Sequence, residues 1–72
     1  MKQSALAQVL NQTGVLTPVN IYTNASGDSG WVNVKIIRLY YFQEENLLEI
    51  ETSSGQRVYL DGDFIEAIMV VK

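Results

Sequence analysis

Acidic residues stand at two turn-like points of this chain. Asp61 and Asp63 flank Gly62 in the segment LDGD, and Glu44 and Glu45 are adjacent in the segment QEEN. Carboxylates in such positions can bind a hard divalent cation, attract a basic protein segment, or simply favour a solvated turn. The sequence leaves these three interpretations open, but the spacing of the acidic residues is not diagnostic of a metal site. We therefore predict no metal ion and no cofactor.

The sequence lacks two of the commonest catalytic residue types and shows no pattern of nucleophile and base. The chain contains no histidine and no cysteine, and no serine stands in an arrangement with a base. Glu49 and Glu51 alternate with apolar residues in LLEIE, which predicts that both point outward into solvent and keep ordinary pKa values. We therefore predict that the protein is not an enzyme.

The length and composition predict a single domain, spanning residues 1–72, that associates with other copies. A domain of this size buries only about 60% of the surface that its unfolded chain exposes. Disulfides and a structural zinc site cannot compensate, because cysteine and histidine are lacking. With 47% hydrophobic and 18% charged residues, the chain carries more apolar side chains than so small an interior needs. Oligomerisation is the remaining means of stabilisation.

Charge and hydropathy narrow the possible partners and location. The net charge of −3 argues against non-specific adhesion to nucleic acid or to an anionic membrane. No apolar run approaches the roughly 20 residues of a membrane-spanning helix, and the first residues do not have the pattern of a secretory signal. We predict a cytoplasmic protein that does not bind a membrane.

The spacing of apolar residues changes from helical to strand-like along the chain. Leu6, Val9 and Leu10 lie on one helical face, which predicts a helix in residues 1–14. Five strand-like segments follow, separated by short turn-forming stretches. We therefore predict a mainly β fold, in which a short N-terminal helix precedes a strongly bent, five-stranded antiparallel small barrel over residues 16–72.

Two strands have unusual patterns. In WVNVKIIRLYYF the alternation changes phase between Ile36 and Ile37, which predicts a bulge or sharp bend there and places Val32 on the same side as Val34 and Ile36. The last strand, FIEAIMVV, is apolar on both faces, and a neighbouring subunit would cover its second face. Its residues predicted to face the core are Ile65, Ala67 and Met69. The residues predicted to lie in a subunit interface are Tyr59, Phe64, Ile68 and Val70.

The order of elements and two short segments resemble the Sm-like family of LSm and Hfq-type proteins. In YFQEENLLEI, Asn46 and Leu47 match an Asn-Leu pair that opens the third strand of the family. The second family signature is Ile-Arg-Gly followed by an aliphatic residue. It is matched in LDGDFI by Leu60, Gly62 and Ile65, with Asp61 in place of the arginine. An unrelated small barrel of the SH3 type is the alternative fold.

The resemblance implies a ring of five to eight subunits, joined through the fourth and fifth strands, whose central pore binds single-stranded, U-rich RNA. By this resemblance Asn46 contacts a base edge and Gly62 shapes the pocket. The stacking position of the family holds Glu44 in this sequence, and a shift of one or two residues in the loop would place Phe42 or Tyr41 beside the base instead. The side chains that would make this pore acidic, and so repel phosphate, are Glu44, Glu45, Asp61 and Asp63. The function implied is RNA binding or scaffolding of an RNA-containing complex without catalysis. The alternative is a structural or protein-interaction barrel that has lost RNA binding and contacts a protein partner.

Aromatic and basic residues are interleaved in the strands. They are Tyr22, Arg38, Tyr40, Tyr41, Arg57 and Tyr59. Such a set can form a stacking surface for bases, or it can cover a barrel wall or a subunit interface. The sequence leaves both interpretations open.

Overall fold

A computed structural model of the chain describes residues 1–24, 30–40 and 46–71. It shows a short N-terminal helix followed by a five-stranded antiparallel sheet, which confirms the predicted mainly β fold. None of the helices in these ranges is long and apolar enough to cross a membrane. The elements in chain order are α1 (Gln3–Thr13), β1 (Pro18–Thr23), β2 (Trp31–Tyr40), β3 (Leu47–Glu51), β4 (Arg57–Asp61), a 3-10 turn (Gly62–Phe64) and β5 (Ile65–Val70).

The sheet is open but must be strongly curled. Its strand order is β4-β3-β2-β1-β5, so β4 and β5 lie at opposite edges. In a flat sheet these edges would be about 19 Å apart, because neighbouring strands are separated by about 4.8 Å. The chain from Asp61 to Ile65 can span at most about 14 Å. The two edges therefore converge at the connection between them, residues 61–65, which we call the corner.

The core lies on the inner face of this curled sheet, with α1 packed over it. Side chains alternate along β1 and β3, so that Val19 and Ile21 are buried on one strand and Leu48 and Ile50 on the other. Fully burying one such side chain stabilises the fold by roughly 1.5–3 kcal/mol. The complete buried apolar cluster among the described residues is Leu6, Val19, Ile21, Val34, Ile36, Leu39, Leu48, Ile50 and Ile65.

A bulge in β2 confirms the predicted change of phase. Ile36 pairs with Ile50 of β3, but the next pair joins Arg38 to Glu49, so that Ile37 is the extra residue. As a result Ile36 and Leu39 are both buried although three positions separate them. The extra residue bends the strand and contributes to the curvature of the sheet.

A second bulge, in β5, overturns part of the prediction for that strand. Tyr22 of β1 pairs with Ala67, and Thr23 pairs with Ile65, so Glu66 is the extra residue. Ile65 and Ile68 consequently point towards the core. The prediction that Ala67 and Met69 face the core is wrong, because both are exposed.

A third irregularity lies between β1 and β2. Val19 pairs with Val34 and Ile21 with Trp31, which leaves Val32 and Asn33 together opposite Asn20. Asn33 has a φ of 54°, and its backbone N–H donates a 2.8 Å hydrogen bond to Asn20 Oδ1. Asparagine tolerates this left-handed conformation better than most residues. Val32 is 72% exposed, so the prediction that it shares the buried side with Val34 is wrong.

Candidate functional site

The corner brings together residues from the two segments that carry the family resemblance. The backbone N–H of Gly62 donates a 2.6 Å hydrogen bond to the carbonyl oxygen of Asn46. The Asn46 side chain in turn donates from Nδ2 to Asp63 Oδ1 at 3.0 Å and to the carbonyl oxygen of Met1 at 2.8 Å. The start of β3, the 3-10 turn and the N-terminus therefore meet at Asn46.

Close packing favours glycine at position 62. The residue is buried, and a Cβ added to it would lie 2.6 Å from both Asn46 Oδ1 and Leu6 Cδ1. Real Cβ atoms essentially never come so close to other heavy atoms. Gly62 does not have a positive φ, so the close approach alone accounts for the residue type.

The two aspartates act within the turn itself. Asp61 precedes the 3-10 turn, and its Oδ1 accepts a 3.0 Å hydrogen bond from the backbone N–H of Asp63. The Asp63 carboxylate accepts the hydrogen bond from Asn46. Both side chains stay exposed, as expected for turn residues in contact with solvent. These hydrogen bonds give both aspartates a structural role in the turn.

The remaining residues predicted for the pore are Phe42, Glu44 and Glu45, and they lie outside the described residues. Across the described ranges, no three acidic side chains are close enough together to hold a metal ion. The proximity of these three residues to the corner stays a prediction.

The N-terminal ammonium of the chain completes the corner. It donates hydrogen bonds to the carbonyl oxygens of Gly62 at 2.9 Å, Asp63 at 3.3 Å and Ile65 at 2.6 Å. Backbone carbonyl oxygens at a sharp turn need hydrogen-bond donors when they are partly buried, and the ammonium group donates to three of them. Because Met1 leads directly into α1, these bonds attach the helix to the corner.

These contacts limit what Asn46 can offer to a ligand. Its Nδ2 group already donates to two acceptors, while its Oδ1 is buried against Gly62 and has no hydrogen-bond partner among the described residues. A base read by Asn46 would have to displace Asp63 or Met1. Contact between Asn46 and RNA stays a prediction, whereas its part in holding the corner together is evident from the structure.

A polar cluster covers the outer face of the sheet from β2 to β4. Glu49 lies at its centre and is only 6% exposed. Tyr40 Oη donates a 2.6 Å hydrogen bond to Glu49 Oε1, and Arg57 forms an ion pair with Glu49 Oε2. Arg57 also reaches Glu51 at 3.4 Å. The prediction that Glu49 is exposed is wrong, because residues of the two neighbouring strands cover it.

Two further side chains extend this cluster. The ring of Tyr59 lies 6.3 Å from that of Tyr40, measured between centroids, at an interplanar angle of 45°. The Arg38 guanidinium is 5.7 Å from the centroid of the Tyr40 ring, a distance typical of cation–π contact. We call the whole cluster the polar wall. It consists of Arg38, Tyr40, Glu49, Glu51, Arg57 and Tyr59.

Hydrogen bonding fixes the charge states within the polar wall. The bond from Tyr40 and the guanidinium of Arg57 lower the pKa of Glu49 below its ordinary value. The same bond to the Glu49 carboxylate raises the pKa of Tyr40, and Glu49 also raises the pKa of Arg57. At neutral pH the wall therefore holds an ionised glutamate, a neutral tyrosine donor and a charged arginine. From the sequence, these aromatic and basic residues could form a stacking surface or cover a wall or interface, but the central position of Glu49 among them was not predicted.

Exposed apolar residues occur on both edge strands. On β4, Tyr59 is 54% exposed, and on β5, Met69 is 57% exposed. Of the predicted interface residues, Tyr59, Phe64 and Val70 are accessible, whereas Ile68 packs partly against the core of its own chain. The outer face of β1 and β5 adds Tyr22 and Ala67, which pair with each other. We call Tyr22, Val32, Ala67 and Met69 together the apolar strip.

Comparisons with protein-family models, with characterised proteins and with solved structures found no significant match to this chain. The Sm-like resemblance therefore remains a hypothesis, supported by short motifs.

Proposed function

We propose that this chain is a non-catalytic assembly module, whose copies join through the free edges of β4 and β5. The observation that carries the proposal is the strand order, which leaves these two strands at the edges of an open sheet. An edge strand presents backbone N–H and C=O groups that a strand of another chain can pair with. Exposed Tyr59 and Met69 would also be removed from water by such pairing.

The two edges differ in sequence, and this difference favours a closed ring. When one surface of a subunit binds a different surface of the next, the contact is heterologous and generates a ring if the rotation closes. Every copy in such a ring uses both β4 and β5. The Sm-like resemblance implies five to eight subunits, and the order of helix and strands supports this architecture. A cytoplasmic location belongs to the same proposal.

Native mass spectrometry and sedimentation velocity at micromolar concentration test the proposal directly. We expect a single species containing five to eight copies that persists on dilution. A strict monomer at these concentrations would contradict assembly through the edges. A distribution of growing length would support edge pairing but contradict closure of the ring.

Binding of single-stranded RNA is the second candidate function, and the polar wall favours it. Tyr59 is half exposed beside Arg57, and Arg38 lies over Tyr40, an arrangement of aromatic rings and guanidinium groups that suits base stacking. The net charge of −3 and the exposed aspartates of the corner oppose binding of the phosphate backbone. The proposed ligand is a short, U-rich strand, bound weakly and with strong salt dependence.

Filter binding to oligouridylate at low and moderate salt distinguishes the two functions. If RNA is bound at the wall, Arg38→Gln should weaken binding, whereas Lys35→Gln, which also removes an exposed positive charge from β2, should have a smaller effect. If the corner reads a base, Asn46→Ala should abolish binding. No binding by an intact ring at low salt would favour the protein-interaction alternative, in which the ring contacts a protein partner.

A further inference from the structure

We infer a specific register for the contact between copies, in which β4 of one copy runs antiparallel to β5 of the next, with Tyr59 opposite Met69. This inference rests on the proposed function, since it concerns the same two edges. It follows from the direction in which each side chain on the two strands points.

On β4 the inward and outward residues are fixed by pairing with β3. Leu60 pairs with Leu48 and Val58 with Ile50, and both β3 residues are fully buried, so Val58 and Leu60 face the core side. Both also pack against the core. Tyr59 lies between them and points outward, towards the polar wall.

On β5 the bulge at Glu66 sets the directions of the residues that follow. Ile68 pairs with Ile21 and Val70 with Val19, and these β1 residues are fully buried. Ile68 and Val70 therefore face the core side, with Val70 at the rim. Met69 lies between them and points outward. Each edge thus carries two inward apolar residues that flank one exposed outward residue.

A sheet that continues from one copy to the next must keep its two faces separate. Because side chains alternate with a period of two, a shift of one residue would turn core-facing side chains towards solvent. Inward residues of β4 must therefore lie opposite inward residues of β5. In the antiparallel direction, one register satisfies this for both pairs at once, placing Leu60 opposite Ile68 and Val58 opposite Val70.

The neighbouring registers are less favourable. A shift by two residues in one direction puts Leu60 opposite Glu66, which is the bulged and exposed residue of β5. A shift in the other direction puts Gly62 opposite Ile68 and moves Val58 beyond the end of β5 at Val70. Each alternative keeps only one of the two inward apolar pairs. The preferred register also places Tyr59 over Met69, which brings a thioether against an aromatic ring.

The antiparallel direction continues the pattern of the whole sheet. All four described strand pairings are antiparallel, and an antiparallel pair is slightly more stable per residue than a parallel one. In this direction Asp61 lies opposite Ala67. In the parallel direction Asp61 would instead lie opposite Val71, while Tyr59 would remain close to Met69.

Disulfide cross-linking can measure this register cleanly, because the natural chain has no cysteine. A disulfide requires Cβ atoms about 3.5–4.5 Å apart. Directly opposed residues, at about 4.5–5.5 Å, need only a small backbone adjustment to reach this range, whereas diagonal neighbours, at about 7–8 Å, do not reach it. We expect Tyr59→Cys with Met69→Cys to form a ladder of covalent oligomers on mild oxidation. The matched controls, Tyr59→Cys with Ala67→Cys and Tyr59→Cys with Val71→Cys, should cross-link at least about tenfold more slowly.

A second pair of variants determines strand direction. Asp61→Cys with Ala67→Cys should cross-link in the antiparallel arrangement, and Asp61→Cys with Val71→Cys only in the parallel one. Where a double variant does not assemble under reducing conditions, a mixture of the two single variants replaces it. In that mixture each copy carries a single cysteine, on either β4 or β5, and keeps the natural residue on the other edge. The expected product is therefore a covalent dimer.

The outcomes distinguish an error in the proposed register from an error in the proposed assembly through β4 and β5. If the natural chain assembles but a control pair cross-links as fast as Tyr59→Cys with Met69→Cys, the register is wrong and assembly through the edges stands. If the natural chain is monomeric by native mass, both the proposed function and the register are wrong. Assembly together with the expected pattern of cross-links would establish both.

Discussion

The polar wall and the apolar strip occupy two halves of the same outer sheet surface, and they differ in where their side chains find partners. In the polar wall, Glu49 is covered by Tyr40 and Arg57 from the strands on either side. In the apolar strip, Met69 and Val32 are left largely exposed. The wall is stabilised within one chain, whereas the strip retains apolar surface that another molecule can cover. Only the outer ends of the two regions, Tyr59 on β4 and Met69 on β5, lie on the edge strands of the proposed contact between copies.

Placing a charge on the apolar edge should have the largest effect on assembly. We expect Met69→Lys to weaken association by about a hundredfold or more, since it puts an ammonium group at the centre of the contact. The unfolding free energy of the isolated chain should change by no more than about 0.5 kcal/mol, because Met69 is exposed. Sedimentation velocity and chemical denaturation measure the two quantities.

Val32→Lys is the matched control for this variant. It places the same charge on the apolar strip, but in β2, which is not an edge strand. The control should assemble like the natural chain. Equal loss of assembly in both variants would show that the strip as a whole, rather than the β5 edge, forms the contact.

Filling the space at Gly62 should destabilise the corner at which the two halves of the sheet meet. A Cβ at this position would force Asn46 or Leu6 to move, and we expect Gly62→Ala to lower the unfolding free energy by about 1–3 kcal/mol. In an Asn46→Ala background, where the space is larger, the additional cost should shrink. Urea denaturation of the four members of this double-mutant cycle measures the coupling, and strict additivity would contradict the packing explanation.

Acid should weaken the polar wall before it affects the apolar strip. Because the folded state lowers the pKa of Glu49, the stabilising contribution of this carboxylate is present above the ordinary glutamate pKa of about 4.3. The contribution is lost as the pH falls through the lowered folded-state pKa. Glu49→Gln should therefore reduce stability at neutral pH and flatten the decline of stability below about pH 4.3. Glu66→Gln, which alters an exposed glutamate outside the wall, should leave the profile unchanged.

Removing the hydroxyl of Tyr40 should have the smallest effect of these changes. Tyr40→Phe keeps the ring against Tyr59 and deletes only the bond to Glu49. The pKa of Glu49 should rise towards its ordinary value, since that bond is the foremost cause of its lowering. Titration of the glutamate side-chain carboxyl signals by NMR measures this shift. An unchanged pKa for Glu49 would mean that Arg57 alone holds the carboxylate in its ionised form.

The fold could be predicted from the sequence wherever alternation follows the strand without interruption. The β2 bulge was also predictable, because two consecutive isoleucines, Ile36 and Ile37, break the alternation visibly. The β5 bulge was not predictable. Its extra residue is Glu66, and a charged residue at this position is equally expected in an uninterrupted strand whose Glu66 side chain points outward. Only pairing with β1 shows that the alternation restarts after it.

The sites were less predictable because they depend on contacts between distant residues. Alternation correctly places Glu49 on the outer face, but its burial comes from Tyr40 and Arg57 on other strands. The family resemblance implied that Asn46 and Gly62 contribute to one site, and the structure brings them together. Nothing near Asn46 in the sequence indicated that its amide would be bonded to Met1, which is 45 residues away.

The pairing of β1 with β5 has a consequence for how the protein is made. During translation, β1 leaves the ribosome long before β5, so one side of β1 stays unpaired while almost all of the remaining chain is synthesised. Such long-range pairing slows folding and leaves a strand open to contact with other nascent chains. Pulse-chase labelling should therefore find the five-stranded sheet complete only after β5 has been synthesised.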